Sequence, residues 1–239
     1  MREIFRTVVG SRLYDLALEG SDTDVKAVAL PSAEDLLGMV DKARKHWDGD
    51  PVSDPPDTVI YSVTKYLALL AKGNPTVTEL LFVPLSSTLV TTPMWGEVRD
   101  FARANLITKA LLPSYFGYVK DQFERVKARK AQNNRETMIE KHGFDVKCAS
   151  HVYRIAVQGT ELMTAGCCNP SMSGVDREVA LSIKRGDYNY ERTLDTLKLA
   201  MDGMKAAEAV CKLPDAPDMA AVNDFVTKLH LDVVLFRRV

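Results

Sequence analysis

The rhythm of apolar and polar positions changes about a third of the way along the chain. Up to about position 90, short β-favouring runs alternate with helical ones. IFRTVV (4–9) predicts a strand ending at Gly10-Ser11, and RLYDLAL (12–18) a short helix. TDVKAVAL (23–30) predicts a second strand, with Val25, Ala27 and Ala29 on one face. Pro31-Ser32 opens a helical turn through Leu37, with Ser32 as N-cap and Asp35 as its capping-box partner. GMVDKARKHWDGDPVSDPP (38–56) is rich in Gly, Pro and Asp and reads as a mobile loop. DTVIY (57–61) is the third strand. Ser62 caps the helix SVTKYLALLAKG, which stops at Gly73-Asn74, and Pro75 suits the first position of PTVTELLF.

Beyond position 90 the helical period dominates. Thr92-Pro93 starts a helix running to about Ala104, and an amphipathic segment follows from about Ser114 through Phe116, Val119, Phe123 and Val126. Another helix begins near Asp145, its core stripe being Ala149, Val152, Ile155, Ala156 and Leu162. Two more are predicted at about 175–185 and 190–211, and LPDAPD (213–218) breaks the chain before a last one. The pattern predicts an α+β protein, with a small unit mixing strands and helices in residues 1–90 and a helical unit in residues 91–239.

Composition narrows the class. An apolar fraction of 46% and a charged fraction of 26% over 239 residues exclude a disordered or disulfide-built chain. Lys plus Arg number 31 against 32 acids, a net charge of −1, so a broadly cationic nucleic-acid coat is excluded while a local basic face is not. The longest apolar runs, such as YLALLA (66–71), fall far short of the roughly 20 residues of a membrane span. The start, MREIFRTVVGSR, does not read as a signal peptide, and Cys148, Cys167, Cys168 and Cys211 lack the spacing of a zinc site. A reduced, cytoplasmic protein is the expectation, with no membrane partner.

One segment carries chemistry: Gly10-Ser11, ten residues, then Asp22-Thr23-Asp24. A strand ending in a Gly-Ser turn offers backbone N–H groups and a hydroxyl to phosphate oxygens, and the helix beginning there points its positive end at the same place. Aspartates at i and i+2 of the next strand share a face and can share divalent cations. A third carboxylate from a neighbouring strand completes such a site. Asp57, opening DTVIY, is its best-placed candidate, with Glu79 the competitor. Arg12 and Lys65 are further candidates for phosphate contact. Lys147, His151 and Arg154, spaced i, i+4 and i+7, form one helix face that suits a triphosphate or a nucleic-acid backbone, or else plain solvent. Positions 120–147 hold eight Lys or Arg against five acids, compatible with either a nucleic-acid groove or a solvated helix.

GSRLYDLALEGSDTDVKAV resembles the signature of the DNA polymerase beta-type nucleotidyltransferase superfamily, and within it the chain is similar to the RNA repair pathway DNA polymerase beta family. YSVTKYLALLAKGNPTVTELLFVP (61–84) and GFDVKCASHVYRIAVQGTELMTAG (143–166) resemble that group's second and third blocks. The resemblance implies a short mixed sheet with flanking helices closed over by a helical domain, two Mg²⁺ (or Mn²⁺) ions, and a nucleoside triphosphate (NTP) donor. It implies that Ser11 belongs to the phosphate turn, that Asp22 and Asp24 are metal ligands, and that Asp57 is the third. Asp15 departs from the group, which commonly has glycine there. The implied activity is transfer of a nucleoside monophosphate from the NTP to a hydroxyl acceptor, an RNA 3′ end or tRNA being favoured by analogy. A nucleotide- or RNA-binding regulator on the same scaffold, without significant turnover, is the alternative.

Overall fold

The computed structural model describes residues 1–38, 52–53, 58–130 and 136–235. Its sheet grows outward from a central antiparallel pair, β1 (Arg2–Val9) and β2 (Asp24–Leu30). On the far side of β1 lies β5 (Thr88–Thr91), also antiparallel. On the far side of β2, β4 (Thr58–Ser62) runs parallel, and the two-residue β3 (Val52–Ser53) pairs antiparallel with it. The order is β3-β4-β2-β1-β5, a small mixed sheet. Because β2 is an inner strand, Ala27 to Leu30 are buried regardless of which face they occupy, so its alternation fades into a continuous apolar run.

Helices follow where caps and breakers place them. α1 (Gly10–Leu13) is shorter than the predicted 12–18 segment, because Asp15 adopts a left-handed φ of 56° that no helix can continue. α2 (Ala33–Leu37) carries the expected capping box: Asp35 N–H donates to Ser32 Oγ at 3.1 Å, and Ser32 N–H donates to Asp35 Oδ2 at 2.7 Å. Ser62 caps α3 (Val63–Ala71) through Lys65 N–H, and Asn74 caps α4 (Pro75–Thr78), which tightens into a 3-10 turn at Glu79–Phe82. The loop predicted at 38–56 lies almost wholly outside the described residues, and so does Asp57.

The remaining helices are α5 (Pro93–Leu106), α6 (Leu112–Lys127), α7 (Glu136–His142), α8 (Val146–Ala165), α9 (Gly174–Arg185), α10 (Tyr190–Ala209) and α11 (Met219–Val234). Neither β5 nor α7 is predicted by the sequence pattern. α8 sits in the middle of the helical layer against α6, α9 and α10, and residues on most of its circumference are buried. The two parts share one apolar cluster running from Ile4 on β1 to Leu229 on α11. Trp95 of α5 stacks on Phe5 of β1 with ring centroids 4.1 Å apart, which seats the helical layer on the sheet. Among the described residues no helix is long and apolar enough to cross a membrane.

Candidate active site

The antiparallel register of β1 and β2 builds the first half of the site. Val9 pairs with Asp24, so the Gly-Ser turn that ends β1 lies beside the acidic start of β2. Gly10 has a φ of +68°, and a Cβ there would overlap the Asp24 carboxylate. Only glycine satisfies both conditions. Asp24 is the half-buried first residue of β2, and Asp22 is exposed in the segment just before it. Both aspartates, Gly10 and Ser11 line a cleft of about 380 Å³. Tyr14, Leu16 and Ser21 contribute to the same side.

The opposite wall comes from the helical layer: Gln122 of α6, Lys147, Cys148, Ser150, His151 and Arg154 of α8, and Lys184 of α9. The Lys147/His151/Arg154 stripe therefore lines the same cleft as the aspartates, with Lys147 exposed, His151 half-buried and Arg154 buried. Its placement begins at the α8 N-cap, where buried Asp145 accepts the Cys148 N–H at 2.9 Å. Lys147, Arg154 and Lys184 set cations across the cleft from two carboxylates, an arrangement suited to a polyanion bridged by hard cations.

The cleft floor is a buried charge network. Arg154, only 1% exposed, donates through Nη1 to Glu79 Oε2 at 2.9 Å and to Gln158 Oε1 at 2.7 Å. Its guanidinium carbon lies 3.5 Å from the centroid of the Tyr14 ring. Tyr14 donates its hydroxyl to Glu79 Oε1 at 2.9 Å, and Lys26 Nζ stands 3.7 Å from that oxygen while donating to the Thr76 carbonyl at 2.6 Å. Burial raises the Tyr14 hydroxyl pKa far above the tyrosine norm. Burial also lowers the Lys26 pKa, opposed by the charge of Glu79. Buried ions without such partners would cost several kcal/mol each.

His151 is engaged at both ring nitrogens. Arg154 Nη2 lies 3.0 Å from Nδ1, and a guanidinium can only donate, so Nδ1 is the acceptor. The neutral ring then carries its proton on Nε2, which donates to the Tyr118 hydroxyl at 2.7 Å. That assignment makes His151 a structural link in the cleft wall rather than a proton acceptor for a substrate.

Other predicted residues lie apart. Arg12 donates to the Ser21 carbonyl at 2.9 Å and touches the cleft only through that neighbour. Lys65 sits in the first turn of α3 and is not among the lining residues. Lys120, Arg125, Lys127, Arg129 and Lys130 are exposed on and just beyond α6. Sequence reasoning missed Tyr14, Gln122 and Lys184. Lys184 reaches across to donate to the Leu16 carbonyl at 2.6 Å, and Arg177 grips Asp15 through its carboxylate at 2.6 Å and its carbonyl at 3.1 Å. With Met172 N–H donating to the Tyr14 carbonyl at 3.1 Å, these bonds tie the segment after α1 to the helical layer. The left-handed φ at Asp15 is one that glycine adopts without strain. No local signal announces Lys184, which looks like any lysine in the last turn of a helix.

A small mixed sheet, a Gly-Ser turn leading into Asp-x-Asp and a helical layer facing them define the class of DNA polymerase beta-like proteins, for which nucleotidyl transfer is the suggested chemistry. The chain belongs to the RNA repair pathway DNA polymerase beta family, whose model matches residues 1–224. It is also similar to an uncharacterized 38.9 kDa protein from the nrdC-mobD intergenic region of enterobacteria phage T4, 28% identical over 129 residues. That match takes in 51% of this chain, and the chain spans only 38% of the phage protein's length. No solved structure matches.

Proposed function

We propose that the protein transfers a nucleoside monophosphate from an NTP to a hydroxyl acceptor, releasing pyrophosphate. The observation that carries this reading is convergence: Gly10-Ser11, Asp22, Asp24 and the basic face of α8, separated by more than a hundred residues, line one cleft. The family's name supports RNA repair as the setting, so an RNA 3′ end or tRNA is the proposed acceptor. Free cysteines throughout suit a reducing cytoplasm.

In this reading the backbone N–H groups and hydroxyl of the Gly-Ser turn bind the distal phosphates. Lys147, Lys184 and Arg154 draw the triphosphate across the cleft from the other side. Asp22 and Asp24 would hold the Mg²⁺ (or Mn²⁺) ions, with Asp57 as third ligand. The donor set fits. Magnesium is commonly held by one or two carboxylates completed by substrate phosphates, and the absence of a side chain at Gly10 leaves room for the Asp24 carboxylate. Among the described residues no three His, Cys, Asp or Glu side chains form a metal-holding group, and Asp57 lies outside those residues. Glu79 is buried with both oxygens engaged by Arg154 and Tyr14, so Asp57 rather than Glu79 is kept as the third ligand of this reading. Bound divalent ions supply charge neutralisation at the phosphates and a more acidic acceptor hydroxyl.

The test is incubation with each α-labelled NTP, Mg²⁺ or Mn²⁺, and a mixed pool of RNA and protein. Label should transfer to RNA and vanish in Asp22→Asn plus Asp24→Asn. Equal labelling by the double variant would overturn the assignment. Nucleotide binding without any transfer would make the scaffold a regulator.

A further inference from the structure

Glu79 stands apart from the other carboxylates of the site. It is 1% exposed, on the 3-10 turn beneath the cleft, and both of its oxygens are committed inside the protein. One takes Arg154, the other takes Tyr14 and faces Lys26. We propose that Glu79 is a positioning residue that fixes Arg154 for the nucleotide phosphates, an inference resting on the NTP reading above.

A guanidinium has five N–H groups. Among the described residues, Arg154 directs three hydrogen bonds to Glu79, Gln158 and His151, which leaves two N–H groups for a phosphate oxygen in the cleft that it lines. Its plane is set twice over, by the Glu79 and Gln158 oxygens along one edge and by the Tyr14 ring beneath it. Tyr14 is in turn the residue that ends α1, the helix whose first turn is Gly10-Ser11. The same carboxylate thus orients a cation from the helical layer and, through the Tyr14 hydroxyl, the back of the phosphate turn. Without its charge, Arg154 and Lys26 lose the carboxylate that both face on the cleft floor, and the guanidinium keeps only Gln158, His151 and the Tyr14 ring to fix its plane.

The test uses the full chain and four non-hydrolysable α,β-methylene NTPs, with affinity and thermal stability measured for each variant. Glu79→Gln and Arg154→Met should each weaken binding about tenfold or more, the scale of a lost charge-assisted contact. The double variant should bind no worse than the weaker single one, because Glu79 acts through Arg154. Glu79→Asp, which keeps the charge, should recover part of the loss. A Glu79→Gln protein that melts lower yet binds with unchanged affinity overturns the proposal, and so do losses that multiply in the double variant. Should Glu79→Gln fail to fold, Arg154→Lys takes its place: it keeps the charge but not the fork, so unchanged affinity overturns the proposal. A wild-type chain that binds none of the four analogues refutes the NTP reading itself, and this inference with it.

Discussion

Replacing Gly10 with alanine separates two effects that usually come together. At a φ of +68° any Cβ meets left-handed strain, which costs about 1–2 kcal/mol. For a chain of this length that is a melting shift of roughly 2–8 °C. At Gly10 the new methyl also overlaps the Asp24 carboxylate, which must swing away from the cleft. Displacing a catalytic group by about 1 Å costs on the order of a hundredfold in rate. Gly20 supplies the control, since its φ of +75° imposes the same strain and no heavy atom lies within 4 Å of where its Cβ would go. Gly10→Ala and Gly20→Ala should therefore lose similar stability by thermal denaturation, while only Gly10→Ala loses about a hundredfold in label transfer. Equal transfer rates in the two variants would refute the claim that close packing on Gly10 sets the position of Asp24.

Two further outcomes follow from strain and burial. Asp15→Gly should leave stability unchanged or raise it by up to about 1 kcal/mol, because relief of a φ of 56° offsets the exposed ion pair to Arg177, whereas Asp15→Ala keeps the strain and loses the pair; urea unfolding that finds the glycine variant the weaker of the two contradicts this. Burial holds the His230 imidazole below its ordinary value of 6.5, so the unfolded chain takes up its proton first and stability falls as pH drops through 6.5, levelling off once the folded pKa is passed; His230→Gln should remove that component from urea midpoints measured between pH 5 and 8.

What could be read from the sequence is what depends on neighbours in the chain. Ser32 with Asp35, Ser62, Asn74-Pro75, Thr92-Pro93 and Asp145 each satisfy helix-end N–H groups with atoms two or three residues away, so their helices start where the pattern puts them. The Gly-Ser turn and the Asp-x-Asp were legible for the same reason. β5 was not: four residues with no buried face become a strand only because β1 offers a free edge more than eighty positions earlier in the chain. Glu79 looked like a spare metal ligand because acidity is visible in a sequence and partners are not. Its ties to Tyr14 and Arg154 span 65 and 75 residues. The stripe on α8 was visible as a stripe, and only the packing of α6, α9 and α10 around it decided which way it faced.

The bond from Lys184 to the Leu16 carbonyl joins positions 168 residues apart. During biosynthesis the acidic hairpin leaves the ribosome well before α9, which supplies part of its opposite wall. A nascent protein that ends short of α9 thus carries its carboxylates before the wall that encloses them is complete.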